Sequence, residues 1–254
     1  MGIPALAAWL ALVPSALATT CDPGTQSCFV KTADPAKPGP RTFNWGQGDP
    51  LVRQNIYKAM IEASSKDDGF FKKLFGTEPT VVDTDAYLVS HSPAIATSKG
   101  DPKVTVAKSA LDLAQSAGEL AFIVGHELRH TRHAERKRKC LNYGFQKKWS
   151  GSDQYRFLAS EKVKKYQRDI ENEADAWGQY YAFVGGFSAT DAPAAIEHIG
   201  GLAWALRAEN STEDHDDLSK RQEALKGFST ASPKAKLFRA KCPFDGFDGD
   251  EDED

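Results

Sequence analysis

Residues 120–130 read Leu-Ala-Phe-Ile-Val-Gly-His-Glu-Leu-Arg-His, an apolar helical run that ends in the pattern H-E-x-x-H. Residues four positions apart share one face of an α-helix, so His126 and His130 are expected one turn apart on the same side. Two imidazoles in this arrangement can bind one Zn²⁺, and Glu127 lies beside them as a candidate general base. The motif therefore predicts a zinc metallopeptidase with one metal ion per chain.

The composition is that of an ordinary globular domain. The chain has 254 residues, of which 41% are hydrophobic and 26% charged, and its net charge is −3. A general nucleic-acid binder would be basic, so the charge argues against that class. The metallopeptidase motif instead makes a polypeptide substrate the expected partner. The oligomeric state is not indicated by any pattern in the sequence.

The N-terminus has the pattern of a secretory signal peptide over residues 1–18. Residues 3–13 are apolar, and Ala16-Leu17-Ala18 is an A-x-A cleavage signal, although no Lys or Arg precedes the apolar run. The alternative is an N-terminal membrane anchor, for which the run is short. After cleavage no run of spanning length remains. We therefore expect an exported chain, periplasmic or secreted, without stable membrane insertion.

The four cysteines also fit an exported protein. An even number in such a chain predicts two disulfides, and three pairings are possible. We favour Cys21–Cys28 together with Cys140–Cys242, which would hold the C-terminus near the H-E-x-x-H helix. The alternatives are four free thiols or a second metal site.

Strand patterns precede helix patterns along the chain, which predicts an α+β fold, mostly helical with a small β-sheet. The H-E-x-x-H motif makes a zincin-type domain the expected form of this fold. The domain is expected over residues 50–242, between an irregular extension (19–49) and an acidic disordered tail (243–254). Strands are predicted at residues 80–82, 86–90 and 104–106. Helices are predicted near residues 51–61, 107–115, 116–139, 153–184, 192–206 and 218–226, with a loop over 141–152.

A catalytic zinc usually takes three protein ligands, so a third is required beside His126 and His130. His133 lies about 4.5 Å further along the helix axis than His130, too far to share an ion whose Zn–N bonds are about 2.1 Å. His133 is therefore expected to be a supporting or surface residue. The basic stretch around it contains Arg132, Arg136, Lys137 and Arg138.

A better third ligand is available on the next long helix. Glu171, Asp175 and Gly178 share a face there, and small residues allow a second helix to approach. Glu171 would complete a His-His-Glu site, and Asp175 would accept a hydrogen bond from a ligand histidine. Glu173 points elsewhere on the helix and is expected to be solvated. The alternative is that Glu171 and Asp175 form surface ion pairs with Lys164, Lys165 or Arg168.

Residues 119–130 followed by Glu-Asn-Glu-Ala-Asp-Ala-Trp-Gly at 171–178 resemble the HtpX and CAAX-prenyl-endopeptidase family of zinc metallopeptidases. That family pairs H-E-x-x-H with a later E-x-x-A-D. The resemblance implies that Glu171 is the third zinc ligand and that Asp175 supports the site. Because family members in membranes carry spanning helices that this chain lacks, it resembles a soluble, exported branch.

A third block resembles the same family. Residues 215–221 match its H-P-x-x-x-x-R segment, with Asp216 in place of the proline. The resemblance implies that His215 lies over the active site, near zinc, substrate or transition state, and that Arg221 has a supporting role. The alternative for this pair is a helix cap and a surface ion pair.

Two further positions depart from the family pattern. Arg129 places a charge inside H-E-x-x-H, where relatives carry an uncharged residue. The edge strand expected before the motif corresponds to residues 92–96, where Pro93 lacks a backbone donor for a substrate docked as an added strand.

These residues together predict peptide-bond hydrolysis. Glu127 would take a proton from water and deliver it to the leaving amine, and His215 would stabilise the oxyanion. The expected substrates are exported or misfolded proteins. Two alternatives stay open: a zinc-stabilised, chaperone-like binding module, and a zinc hydrolase of cell-wall peptide.

Overall fold

The structure, a computed structural model, describes residues 49–66, 78–84, 94–97, 103–148, 157–158, 160–205 and 218–247. Its first helix is α1 (Pro50–Ser65). The carboxylate of Asp49 caps this helix by accepting a hydrogen bond from the amide of Leu51 at 2.9 Å. Pro50 suits the first helical position because its fixed φ matches the helix and its missing N–H has no partner there.

A small mixed sheet follows α1. Its strands are β1 (Thr80–Thr84), β2 (Ala94–Thr97) and β3 (Lys103–Ala107), in the order β1-β3-β2. β3 pairs in parallel with β1 and antiparallel with β2, so β3 is the central strand. Val104 and Val106 alternate with less buried residues and are themselves fully buried, as a strand with one face on the core requires.

The remaining elements are helices. They are α2 (Lys108–Leu113), α3 (Ala117–Lys148), α4 (Glu161–Val184), α5 (Asp191–Ala205) and α6 (Leu218–Lys226). The predicted α+β class, mostly helical with a small sheet, is confirmed. Within the described ranges, none of the helices has both the length and the apolar composition that crossing a bilayer requires.

Two glycines set the distance between α3 and α4. A Cβ added to Gly178 would lie 2.8 Å from the backbone nitrogen of His126, and one added to Gly125 would lie 3.0 Å from the carbonyl oxygen of Gly178. Only residues without a side chain fit at such a close approach. The two helices run antiparallel, because His126 contacts Asp175 whereas His130, further along α3, contacts the earlier residue Glu171.

Apolar packing holds the helix pair on both sides. The largest buried cluster joins α1, β3, α3 and α4, and includes Ile56, Met60 and Leu128. A second cluster joins α3 to α5 and α6 through residues such as Phe122 and Ile196. Each fully buried aliphatic or aromatic side chain contributes roughly 1.5–3 kcal/mol, so the α3–α4 pair lies in the most strongly stabilised part of the fold.

Helix α3 is longer than predicted. The loop predicted over residues 141–152 is wrong over 141–148, which continue the helix to Lys148. Gly144 lies within this stretch, and a Cβ added there would lie 2.2 Å from the ring of Phe244. The glycine thus makes room for an aromatic side chain from a distant part of the chain, which no local pattern reveals.

Other element boundaries also differ. The helix predicted from residue 107 begins at Lys108, because Ala107 still belongs to β3. The helix predicted from about residue 153 begins at Glu161, although residues 157–158 are also helical. The strand predicted at 86–90 lies outside the described residues, and the predicted edge strand begins at Ala94, after Pro93.

The C-terminal segment is joined covalently to α3. Cys140 and Cys242 form a disulfide with a Cα–Cα distance of 5.8 Å, which confirms that predicted pairing. Cys21 and Cys28 lie outside the described residues. Phe244 is buried against Phe157 and its neighbours, so packing continues past residue 242, where the domain was predicted to end.

Candidate metal centre

Three side chains from α3 and α4 converge on one point. The Nε2 atoms of His126 and His130 lie 2.9 Å apart, and the Oε2 atom of Glu171 lies 3.3 Å from the first and 3.2 Å from the second. One turn of α3 separates the two histidines, and the close approach of α4 brings the carboxylate to them. Each of these side chains is less than one-fifth exposed.

The arrangement fits a zinc ion. Ligand atoms held at about 2.1 Å in a tetrahedron lie about 3.4 Å from one another. The observed separations of 2.9–3.3 Å are close to this value, and two imidazole nitrogens with one carboxylate oxygen are a donor set of catalytic zinc. His126, His130 and Glu171 could therefore hold the metal.

A chain of ion pairs orients His126. Its Nδ1 lies 2.9 Å from Oδ1 of Asp175, and Arg221 donates to both oxygens of Asp175 from Nε and Nη2, each at 2.7 Å. In the neutral imidazole, the contact with Asp175 favours the proton on Nδ1, so that Nε2 carries the lone pair and faces His130 and Glu171. α6 thus contributes to the site through Arg221, which is 8% exposed.

The electrostatics of the cluster favour a bound cation. Burial alone would lower the pKa of His126, but hydrogen bonds to Asp175 and Glu171 raise that pKa to about 10. Burial would likewise raise the pKa of Glu171, yet the charge of His130 holds it well below its usual range. Arg221 lowers the pKa of Asp175 to about 2 against the effect of burial. Two ionised carboxylates therefore face this imidazole pair.

The other predicted site residues have different outcomes. Glu127 follows His126 on α3 and is 7% exposed. Arg221 contacts the site, as described above, whereas His215 lies outside the described residues. Glu171 and Asp175 contact histidines of α3, and their side chains are only 13% and 5% exposed, so neither lies on the open surface.

A second polar cluster on the same helices corrects the expectation for Glu173. Glu173 is fully buried rather than solvated. It accepts hydrogen bonds from Arg129 at 3.1 and 2.5 Å, from Arg136 at 3.3 Å and from the amide of Ala240 at 2.7 Å. We call this group, with His133, the Glu173 cluster. The charge of Arg129, unusual inside H-E-x-x-H, is neutralised there.

His133 belongs to this cluster and is not a surface residue. It is 1% exposed, and its Nε2 lies 2.7 Å from Oε1 of Glu173. Burial, followed by the nearby charge of Arg129, lowers the pKa of His133 to about 3. Burial would raise the pKa of Glu173, but its bond to His133 and the arginines hold it far below the usual range. Neutral imidazole and ionised carboxylate therefore coexist at neutral pH.

One signal in the sequence could have revealed the Glu173 cluster. Arg129, His133 and Arg136 follow i, i+4, i+7 spacing, which forms one basic stripe on α3. On α4, Trp177 also packs against this stripe, because the guanidinium of Arg129 lies 3.9 Å from the centroid of the Trp177 ring. A buried basic stripe requires an acidic partner, and Glu173 is that residue.

Comparison with known proteins gives no relative: no family model, no curated protein and no solved structure matches the chain.

Proposed function

We propose that the chain is a zinc-dependent endopeptidase of the zincin type, related to the HtpX and CAAX-prenyl-endopeptidase family, that hydrolyses exported or misfolded proteins. The observation that carries the proposal is the convergence of His126 Nε2, His130 Nε2 and Glu171 Oε2 within bonding distance of one ion. The spacing of Glu127 in H-E-x-x-H and the bonds from Asp175 to His126 support it further.

The chain's own residues supply the rest of the reaction. Zinc held by His126, His130 and Glu171 would supply Lewis acidity, which activates water and polarises the scissile carbonyl. Glu127 takes a proton from the attacking water and later passes it to the leaving amine, so that the amine departs neutral. Asp175 keeps His126 in the tautomer that presents Nε2 as a ligand, and Arg221 fixes the position of Asp175.

We assign His215 to stabilising the oxyanion that forms on the scissile carbonyl, on the strength of the family resemblance alone. Well-placed donors of this kind contribute about 3–4 kcal/mol to catalysis. We also place the protein outside the reducing cytoplasm, in the periplasm or secreted. The Cys140–Cys242 disulfide and the sequence of residues 1–18 support that assignment.

Glu127→Gln tests the reaction directly. The amide cannot accept the proton of water, so we expect the rate of cleavage of dye-labelled, denatured casein to fall by about 10²–10⁴-fold. Zinc content, measured by elemental analysis, should stay near one ion per chain because Glu127 is not a ligand. Glu62→Gln, on the exposed side of α1, is the matched control and should cleave at the wild-type rate.

Three outcomes would contradict the proposal. If the Glu127→Gln chain cleaves at the wild-type rate, Glu127 is not the general base. Zinc-loaded wild type that binds denatured casein without cutting it would favour a chaperone-like module. Cleavage of a muropeptide in place of casein would favour a cell-wall hydrolase.

A further inference from the structure

A cavity of about 390 Å³ lies between α4, α6 and the segment that follows α6. Its size falls within the range of small-molecule sites, roughly 300–1,000 Å³. It touches the metal centre only through Asp175 and Arg221, and none of the three proposed zinc ligands lines it. Its apolar lining includes Ala176, Ala224, Leu225, Phe228, Leu237 and Phe238.

The outer wall of the cavity is held in place by polar anchors. The indole Nε1 of Trp177 donates to the carbonyl of Phe238 at 3.1 Å, and the amide of Ala240 donates to Glu173 at 2.7 Å. The Cys140–Cys242 disulfide follows two residues later. The wall is therefore built on rigid parts of the fold, and the cavity does not depend on closure of the segment.

An apolar side chain is left uncovered on this wall. Phe238 is 42% exposed, the highest value among the large exposed hydrophobic residues in the described part of the chain. Removing this apolar ring from water by contact with a ligand would be favourable. An apolar ligand in the cavity would cover the ring, because Phe238 is one of its lining residues.

The charges around the cavity are positive. Lys220, Arg221 and Lys236 line it, whereas Asp175 is the one carboxylate among the lining residues and is already bonded to Arg221. Within the described ranges, neither lysine forms an ion pair. The ammonium of Lys236 lies over Gly227, where an added Cβ would be 2.0 Å from Nζ. It is thus held at the end of α6, next to the apolar wall.

We propose that this cavity binds an apolar molecule or chain end that carries a carboxylate. The apolar part contacts Phe228, Leu237 and Phe238, and the carboxylate pairs with Lys236. Lys220 lines the same cavity from the first turn of α6, about 10 Å along the axis from Gly227, and is the comparison for Lys236. The inference stands independently of the proposed peptidase activity, because it uses no zinc ligand.

Isothermal titration calorimetry of the full chain tests the proposal. The two ligands are decanoate and the oppositely charged decyltrimethylammonium, each kept below the concentration at which it forms micelles. We expect one decanoate per chain, bound at least tenfold more tightly than the cation. Lys236→Gln should weaken decanoate at least tenfold, and Ala224→Phe, which fills the cavity from an exposed position, should abolish binding. Lys220→Gln, the matched control, should change affinity less than about threefold.

Two further arms identify the source of the carboxylate and exclude the metal centre. Acetyl-Ala-Ala-Leu-Phe is titrated with a free and with an amidated C-terminus; preferential binding of the free acid would support a polypeptide chain end, and binding of decanoate alone a fatty acid. Affinities should be equal in zinc-loaded and chelator-treated protein. Equal binding of both decyl probes, or wild-type binding by Ala224→Phe, would overturn the proposal.

Discussion

Two polar clusters lie along the same pair of antiparallel helices, and they differ in what their side chains do for one another. In the Glu173 cluster a single carboxylate accepts hydrogen bonds from two arginines and one backbone amide, and Nε2 of His133 lies 2.7 Å from it, so its charge is compensated within the protein. At the metal centre, His126 and His130 instead direct nitrogen atoms at each other and at Glu171. The first arrangement stabilises a fold, and the second leaves room for a cation.

The comparison also explains the position of each cluster. The side chains that could hold a metal are 12–19% exposed, so solvent reaches them, whereas those of the Glu173 cluster are at most 1% exposed. Removing a residue should therefore affect stability in one cluster and ligand affinity in the other.

The largest effect is expected from Glu173→Ala. Loss of this carboxylate leaves Arg129 and Arg136 buried without compensation, which costs about 3–5 kcal/mol of unfolding free energy. Urea denaturation followed by circular dichroism measures the change. Glu62→Ala on α1 is the control and should stay within about 0.5 kcal/mol of wild type. Zinc affinity of the folded Glu173→Ala chain should remain within about tenfold, and a larger loss would mean that the clusters are not separate.

Glu171→Ala, in contrast, should mainly lower zinc affinity rather than the free energy of unfolding. Loss of a supporting residue typically lowers metal affinity 10–100-fold, so loss of a direct ligand should exceed about 100-fold, or about 2.7 kcal/mol. Competition with a chromophoric chelator measures zinc affinity. Unchanged affinity in Glu171→Ala would show that the carboxylate does not bind the ion.

Asp175→Asn sharpens the difference between a ligand and its support. The amide keeps the shape of the side chain but weakens its bonds to His126 and Arg221. We expect zinc affinity to fall about 10–100-fold, with one ion still bound at saturation. The same chelator competition measures both quantities. A loss as large as that of Glu171→Ala would place Asp175 among the ligands.

The smallest effect is a pH dependence of stability in the Glu173 cluster. The folded-state pKa of His133 is about 3, below its unfolded value of 6.5. As pH falls, the unfolded chain therefore binds a proton before the folded chain does. The contribution of neutral His133 to the free energy of unfolding is complete above pH 6.5 and declines as pH falls toward 3. The slope is at most about 1.4 kcal/mol per pH unit.

His133→Gln removes the titrating group and tests this slope. Urea midpoints measured between pH 6.5 and 4.5 should fall less steeply in the variant than in wild type. Parallel curves for the two proteins would show that His133 is not kept neutral by its surroundings. Glu173 contributes in the same direction once its unfolded carboxylate begins to take up a proton, near about pH 5.5, so the slope between pH 6.5 and 5.5 is the part that reports His133.

Local spacing anticipated much of the candidate site. His126, His130, Glu171 and Asp175 lie on helical faces that three- and four-residue spacing makes visible, and the structure brings these faces together. Arg221 is also in contact, through Asp175. The helical periods and the alternating valines of β3 likewise give the α+β class, because they depend on neighbours in the sequence.

The features that could not be predicted from the sequence are contacts between residues far apart in the chain. Glu173 was expected to be solvated because its own helix gives no reason for burial; its partners lie on α3 and in the C-terminal segment. The same is true of Gly144, whose place within α3 depends on the ring of Phe244. Both errors concern contacts made by residues 240–244, a segment without regular secondary structure.

The Cys140–Cys242 bridge has a consequence for what a proteolytic cut would do to the chain. The two histidines of the metal centre precede Cys140 in the chain, whereas Glu171 and Arg221 fall between the bridged cysteines. A single nick between α3 and α4 would thus produce two polypeptides that stay tethered, each bearing part of the donor set. Severed in this way, the molecule would persist as a covalent heterodimer with its imidazoles and its carboxylate still side by side.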